Sequence, residues 1–479
     1  MKTFLTVLLI VGALQSASGK NKKPNILFIF ADDMSYEILG SVGKTVCKTP
    51  NLDRLRKSGV SFTHAYNMGA WRGAVCLASR AMLNSGTFVN RAEKAVQRLP
   101  HWSEMMRDAG YRTYMTGKWH VPGKGPRFDV EKDVHLRGMP RQTESGYDRP
   151  KSPEDYAKGW KPWDKSKGGF WKGGTHWSVV VANDTLEFLK QAKKDDKPFF
   201  MYIAFNACHD PRQSPKKYID MYPLKDIAVP KDFIPNYPYA KEMGCNPKTL
   251  RDERLMPSPR TEYAVKVNRQ EYYALATHMD EQIGKIFKAL KESGMAKNTY
   301  IIFTADNGLS IGHHGLEGKQ NMYEPSMRVP FLIAGPGIKP GKSFDMPIYL
   351  QDAMATALEL ASIKKPKQVQ FKSVLPLIRG ERKVQYKRIY GKYINYQRMI
   401  KKGDYKLIVY PYAHVVRLYN LKKDPNEMRD LAKSPEYAPV VARLKAELKK
   451  LQVEMDDPLD IDHPPSLKKS KRRKRHKHK

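Results

Sequence analysis

Apolar residues in this chain come in two patterns, unbroken runs and helical stripes, and the chemically interesting polar residues sit where the runs stop. Residues 24–31 (PNILFIFA) form one such run and end in Asp32-Asp33. A run apolar at successive positions predicts a strand buried on both faces of a parallel sheet, whose carboxyl end is where ligands bind. Residues 198–205 (PFFMYIAF) repeat the pattern and lead into Asn206-Ala207-Cys208-His209-Asp210-Pro211. Residues 298–305 (NTYIIFTA) do so again and end in Asp306-Asn307-Gly308. Two further strands are predicted at 60–66 and 111–116, the second delivering Gly117-Lys118-Trp119-His120.

Helical spacing fills the intervals. Thr49 to Leu55 starts a helix, a helix follows Cys76, and others are predicted over 101–110, 177–191 and 263–293. The last carries Tyr272, Ala276, Met279, Ile283, Ile286 and Leu290 on one stripe. Alternating strands and helices predict an α/β fold with a large, mostly parallel central sheet and helices on both faces. Beyond Gly380 the rhythm changes to short hairpin-like strands at 388–394, 405–409 and 415–421, closed by a helix over 439–453. That predicts a smaller C-terminal α+β domain with an antiparallel sheet. The expected boundaries are 20–380 for the large domain and 381–462 for the small one.

Two stretches resist periodic reading. Residues 123–174 are rich in Gly, Pro, Lys and Trp, and residues 211–259 are rich in Pro. Long aperiodic segments in compact domains are commonly functional or disordered. Trp160, Trp163 and Trp171, interleaved with lysines, either stack against sugar rings or anchor an ordered loop.

Charge and composition narrow the setting. The 479 residues carry 85 Lys and Arg against 49 Asp and Glu, a formal net charge of +36. Such a surplus favours a polyanionic partner and says nothing about fold. Residues 463–479 form a strongly basic, solvated tail. Residues 1–19 have a basic start, a short apolar run and small residues before the expected cleavage point, so they predict a secretory leader and a periplasmic or extracellular protein. No transmembrane segment is expected. The four cysteines (Cys47, Cys76, Cys208, Cys245) do not make a disulfide framework.

The predicted strand ends collect oxygen donors, Asp32, Asp33, Asp306 and Asn307, a set that suits a hard ion such as Ca²⁺ or Mg²⁺ rather than zinc. Adjacent carboxylates there repel unless a cation lies between them. The same ends gather Arg80, Lys118, His120, His209 and Lys319. A divalent ion ringed by Arg, Lys and His is a site for a tetrahedral oxyanion ester. Taken singly, each residue has a mundane reading as a cap or a turn; their joint placement at strand ends is what argues for a site.

With PNILFIFADDM, Cys76-Leu77-Ala78-Ser79-Arg80, GKWH, His209-Asp210-Pro211, FTADNG, HGLEGK, MRVP and the closing Leu418-Tyr419-Asn420-Leu421 segment in hand, the chain resembles the formylglycine-dependent type I sulfatases of the alkaline-phosphatase superfamily, particularly bacterial carbohydrate sulfatases. The resemblance implies oxidation of Cys76 to formylglycine (3-oxoalanine), hydrated to a gem-diol, by a formylglycine-generating or radical-type maturation enzyme. It implies one Ca²⁺ per chain on Asp32, Asp33, Asp306, Asn307 and residue 76. One diol oxygen then attacks sulfur. His209 and Lys319 hold the sulfate and protonate the leaving alcohol, and His120 takes the proton that expels sulfate. Arg80 and Lys118 fix the diol and neutralise charge. His314 lies in a family motif as positional support. Ala78 stands where the family usually has Pro, which leaves open the maturation system.

The function so implied is an exported sulfuric ester hydrolase acting on a sulfated carbohydrate. The alternatives are a choline or aryl sulfatase, a phosphodiester or phosphonate monoester hydrolase with the same site, and a non-enzymatic polyanion-binding protein. A nucleic-acid partner is not expected.

Overall fold

The computed structural model describes residues 23–123, 125–138 and 149–466. The leader at 1–19 and the basic tail from Leu467 lie outside them. A nine-stranded sheet forms the centre, and a five-stranded sheet stands beside it.

Asn25–Ala31 is the axis of the large sheet. From Ile26 to Ala31 every side chain is fully buried, as an unbroken apolar run requires. It pairs in parallel with Phe199–Ala204 on one side and Thr299–Ala305 on the other. The registers, Phe30 opposite Ala204 and Ala31 opposite Ala305, bring all three strand ends to one level. Backbone bonds continue past the sheet: Asp32 N–H donates to Ala207 O at 2.8 Å and Asp306 N–H to Ala31 O at 3.2 Å. Outward from Phe199–Ala204 lie Arg112–Lys118 and then Val130–His135, both parallel. On the other flank Arg328–Ala334 runs antiparallel to its neighbours Thr299–Ala305 and Val60–Tyr66. Ile348–Tyr349 and Lys342–Phe344 complete the sheet beside Val60–Tyr66.

Helix Glu262–Glu292 packs against helices Trp177–Ala192 and Pro50–Ser58. Its expected stripe is buried throughout, and Thr261 caps its start by accepting from Ala264 N–H at 3.2 Å. The 101–110 expectation corresponds to Trp102–Asp108, with a capping box between His101 and Glu104.

The second sheet runs Val415–Asn420, Tyr405–Tyr410, Gln397–Lys402, Ile389–Tyr393, all antiparallel, with helix Ala438–Glu454 packed on it. Its fifth strand comes from far away in sequence: Gly69–Ala70 pairs in parallel with Lys392 and Tyr393. Gly69 has φ +82°, and a Cβ there would lie 1.8 Å from Lys392 O, so only glycine admits this pairing.

The aperiodic stretch 123–174 contains a strand that periodicity does not announce. Val130–His135 is a half-exposed edge, so its apolar content is low. Trp160 and Trp171 are buried and hydrogen-bonded, to Glu271 Oε1 at 2.7 Å and Pro162 O at 3.2 Å, so they anchor the loop and are not platforms for a sugar. Trp163 remains half-buried, with Lys216 Nζ 5.5 Å from its ring centre. All four cysteines are buried free thiols.

Candidate active site

The level strand ends create one buried cluster. Asp33 follows Asp32 with φ +60°, a left-handed backbone that costs a non-glycine residue on the order of 1–3 kcal/mol and tends to occur at functional sites. The turn is held from behind by Tyr272, whose hydroxyl donates to Asp33 O at 2.7 Å and accepts from Ser35 N–H at 2.9 Å. In front, Asp33 accepts at Oδ1 from Lys319 Nζ at 2.7 Å and from Asn307 Nδ2 at 2.7 Å. Asp33 N–H donates to Asp306 Oδ1 at 3.1 Å.

Arg80 and Lys118 come from opposite sides. Helix Val75–Ser85 places Arg80 one turn beyond Cys76, where Nε donates to Asp306 Oδ2 at 2.8 Å and Nη1 to Lys118 O at 2.7 Å. Strand Arg112–Lys118 delivers Lys118, whose ammonium bonds Asp32. Gly117, at φ +87°, makes that delivery possible, because a Cβ there would lie 1.9 Å from Ala204 O. Both cations are fully buried, so their attraction to the carboxylates is poorly screened.

Cys76 is the second residue of its helix and nearly inaccessible. Its Sγ lies 3.3 Å from His120 Nδ1 and 4.0 Å from Lys319 Nζ. Burial pushes the thiol up, but Lys118, Lys319 and His120 outweigh it and hold the pKa well below the usual thiol range. Cys47, Cys208 and Cys245 are equally buried, and burial drives each of them upward. Cys76 alone among the four is electrostatically activated.

The carboxylates are unequal. Burial, reinforced by Asp306, raises Asp32 well above the usual carboxylate range. Burial raises Asp306 too, but Arg80 and Lys118 prevail and lower it. Burial lowers His120, against the pull of Cys76, which keeps the ring neutral near pH 7. For His209 burial is opposed by Asp210, and the result is a rise to about 9. Its Nε2 stands 3.8 Å from Asp33 Oδ2.

The donor set fits a hard cation. Oxygens of Asp32, Asp33 and Asp306 lie within 4.8 Å of one another. Buried Asp32 Oδ1 and Asn307 Oδ1 have no hydrogen-bond partner among the described residues. An orphaned buried acceptor costs about 1–3 kcal/mol, and two of them beside a carboxylate pair are what an oxygen-liganded ion relieves.

Every residue singled out from sequence for chemistry (Asp32, Asp33, Cys76, Arg80, Lys118, His120, His209, Asp306, Asn307, Lys319) therefore falls in or against this cluster. His314 does not: it stacks on Tyr323 with centroids 3.8 Å apart and lies 3.0 Å from Asp232. Sequence reasoning missed Tyr272 as a support, although it sits on the helix stripe. It also missed Arg251, Asp252 and Gln320, which give no periodic or motif signal.

Residues 24–363 match the family model described as Sulfatase. The chain belongs to the sulfatase family. It is a sulfuric ester hydrolase. Residues 312–454 also match the model described as N-sulphoglucosamine sulphohydrolase, C-terminal. The sulfatase is 30% identical over 462 residues to an arylsulfatase of Clostridium perfringens, covering 87% of this chain and 91% of that one. Its fold resembles a solved structure in complex with its substrate D-glucosamine-2-N,6-O-disulfate, with a TM-score of 0.72, 23% identity and coverage of 92% and 100%. It also resembles the phosphonate monoester hydrolase of Agrobacterium radiobacter, with a TM-score of 0.71, 21% identity and coverage of 90% and 96%. No helix among the described residues is long and apolar enough to cross a membrane.

Proposed function

We propose that this sulfatase is exported, hydrolyses sulfate esters of a carbohydrate, and uses Cys76 as the precursor of a formylglycine nucleophile beside one calcium ion. The observation that carries this is the activation of Cys76 alone among four buried thiols, in contact with His120 and Lys319. Asp32, Asp33, Asp306, Asn307 and residue 76 would hold the calcium. When present, the aldehyde supplies an oxygen nucleophile that a thiol cannot, and calcium supplies Lewis acidity next to it.

The chain's own groups do the rest. Arg80, Lys118 and Lys319 are fixed cations in a dry site, positioned where charge builds on the sulfuryl oxygens. Lys319 and His209 hold the sulfate, and His209, protonated near pH 7, gives its proton to the departing ester oxygen. His120, neutral and facing residue 76 through Nδ1, accepts the proton whose removal releases sulfate. Three buried carboxylates face three buried cations and the protonated His209, so a divalent ion adds to a positive surplus that suits an anionic ester. The carbohydrate preference is supported by the sugar sulfate bound by the structural neighbour and by the basic surface.

Mass spectrometry of the tryptic peptide Gly73–Arg80 from the native host tests the nucleophile: an aldehyde is expected at residue 76, and a thiol throughout would refute the mechanism. Ala78 occupies an ordinary helical position, its N–H 3.4 Å from Ala74 O, so the folded site tolerates its departure from proline. The likeness to a phosphonate monoester hydrolase favours one competing reading. Turnover of 4-nitrophenyl sulfate against the monoester 4-nitrophenyl phenylphosphonate separates the two, and faster cleavage of the phosphonate would reverse the assignment.

A further inference from the structure

His209 is held by groups that the sulfatase reaction has not so far used. Its Nδ1 lies 2.7 Å from Asp210 O and 3.1 Å from Asp210 Oδ1, which leaves Nε2 as the nitrogen turned toward Asp33. A ring nitrogen of His209 also falls within 4.8 Å of Cys76 Sγ and an Asp32 oxygen. Asp210 is buried and is in turn gripped by Arg251, with Nη1 donating to Oδ2 at 2.7 Å and Nη2 to Oδ1 at 3.1 Å. A fork gripping both carboxylate oxygens fixes the plane of the carboxylate as well as its position.

The grip does not end at Arg251. Its Nη2 also donates to Asp252 Oδ1 at 2.6 Å. Asp252 Oδ2 accepts from Gln320 Nε2 at 2.7 Å, and the same amide reaches Gly73 O at 3.2 Å, three residues before the nucleophile. Gln320 Oε1 accepts from Lys319 N–H at 3.0 Å. One hydrogen-bonded chain thus joins His209, the Lys319 segment and the loop that carries Cys76. Arg251 lies 41 residues from Asp210 in sequence, inside the proline-rich stretch, and is half-exposed, unlike the buried groups it ties.

We propose that Asp210 and Arg251 are positioning residues for the sulfatase reaction: the Arg251–Asp210 fork fixes the His209 ring so that Nε2 meets the departing ester oxygen. This rests on the role given to His209 above. The proton path is simple: Nε2–H breaks as the ester oxygen leaves sulfur and takes the proton, while the other proton stays on Nδ1, hydrogen-bonded to Asp210. An orienting carboxylate behind a catalytic imidazole works through ring geometry and tautomer.

The test uses the mature full-length enzyme with two esters that differ in leaving-group acidity, 4-nitrophenyl sulfate and phenyl sulfate. Nitrophenolate departs without help, whereas the less acidic phenol needs the proton. Asp210→Asn and Arg251→Met are expected to lower kcat for phenyl sulfate by about 10²-fold while leaving 4-nitrophenyl sulfate within a few-fold, with KM nearly unchanged. Arg251→Lys, which cannot form the fork, should show the same selective loss in smaller measure. Equal losses for both esters, or no loss for either, would overturn the proposal, since a structural clamp has no reason to sense the leaving group. Should Asp210→Asn fail to fold, the half-exposed Arg251 variants decide. Failure of the wild-type enzyme to hydrolyse either ester would instead count against the sulfatase reading, not the positioning role.

Discussion

Two buried carboxylate–guanidinium clusters in this molecule are built from the same ingredients and differ in one respect. At the active site Arg80 grips Asp306 beside Asp32, Asp33 and Asn307. In the C-terminal sheet Arg398 grips Asp457 with Nε and Nη2, and Tyr390 and Gln452 add donors at 2.6 and 3.0 Å. Arg398 spends its remaining donors on Ile394 O and Gln397 O at 2.7 and 2.8 Å. Every polar atom of that second pair has a partner. Among the described residues, the active-site cluster leaves Asp32 Oδ1, Asn307 Oδ1 and Arg80 Nη2 without one. A satisfied buried network rigidifies a fold, whereas an unsatisfied one keeps unmet affinity for something else. Satisfaction, not charge or burial, separates the structural cluster from the reactive one.

The sharpest break of that comparison is at the proposed nucleophile. Cys76→Ala should abolish sulfate release, a loss of at least about 10⁴-fold, with the melting temperature little changed; substantial residual turnover would mean that residue 76 is not the nucleophile. Asp306→Asn comes next. It should cost about 10³-fold in kcat and weaken calcium binding measured by calorimetry, while stability holds, because the cluster it disturbs is not built for stability. Asp457→Asn should do the reverse: a loss of about 3–5 kcal/mol in unfolding free energy, with kcat at 25 °C unchanged. Replacing both partners, Arg398→Met with Asp457→Leu, should recover most of that loss, since neither charge is then left alone. A chemical-denaturation series would expose a failure of either expectation.

The smallest effect is a pH dependence confined to the second cluster. Burial raises Asp457, but Arg398 prevails and brings its pKa to about 2, from an ordinary 3.8. A carboxyl lowered on folding stabilises the protein above its unfolded pKa, and that contribution is lost as pH falls through the folded value. The stability gap between wild type and Asp457→Asn should therefore be constant above pH 4 and narrow between pH 4 and pH 2. A gap that stayed constant to pH 2 would show that Arg398 acts by packing alone.

How much of this was legible in the sequence depended on whether a residue's role is local. The central strands were, because burial on both faces demands an unbroken apolar run, as at Ile26–Ala31. The reactive cluster was in part, because Asp32, Asp33, Asp306 and Asn307 stand just past such runs, whereas Cys76 and Arg80 on a helix and Lys319 in a loop were legible only through their motifs. Edge strand Val130–His135 was not, since a half-exposed edge needs few apolar side chains. Strand Gln397–Lys402 was hidden because Gln397 and Arg398 are buried polar residues whose partners lie far along the chain. Arg251 and Gln320 act through tertiary contacts, among them those with Asp210 and Asp252, which no spacing announces. The tryptophans left two readings open, a sugar platform or a loop anchor, and Trp160 and Trp171 hold a loop in place.

The pairing of Gly69–Ala70 with Lys392 and Tyr393 has a consequence in time. Contacts between distant parts of a chain form late, because the intervening loop must close first. The segment just ahead of Cys76 is pinned by a strand that leaves the ribosome more than 300 residues after it. Until that strand arrives, the loop that carries Cys76 lacks one of its fixed edges. Once it has docked, Cys76 is 2% exposed. On the proposed role of Cys76 as a formylglycine precursor, an enzyme that oxidises this thiol would have to meet it as an extended peptide, and the C-terminal sheet, by closing last, would set how long that encounter can take.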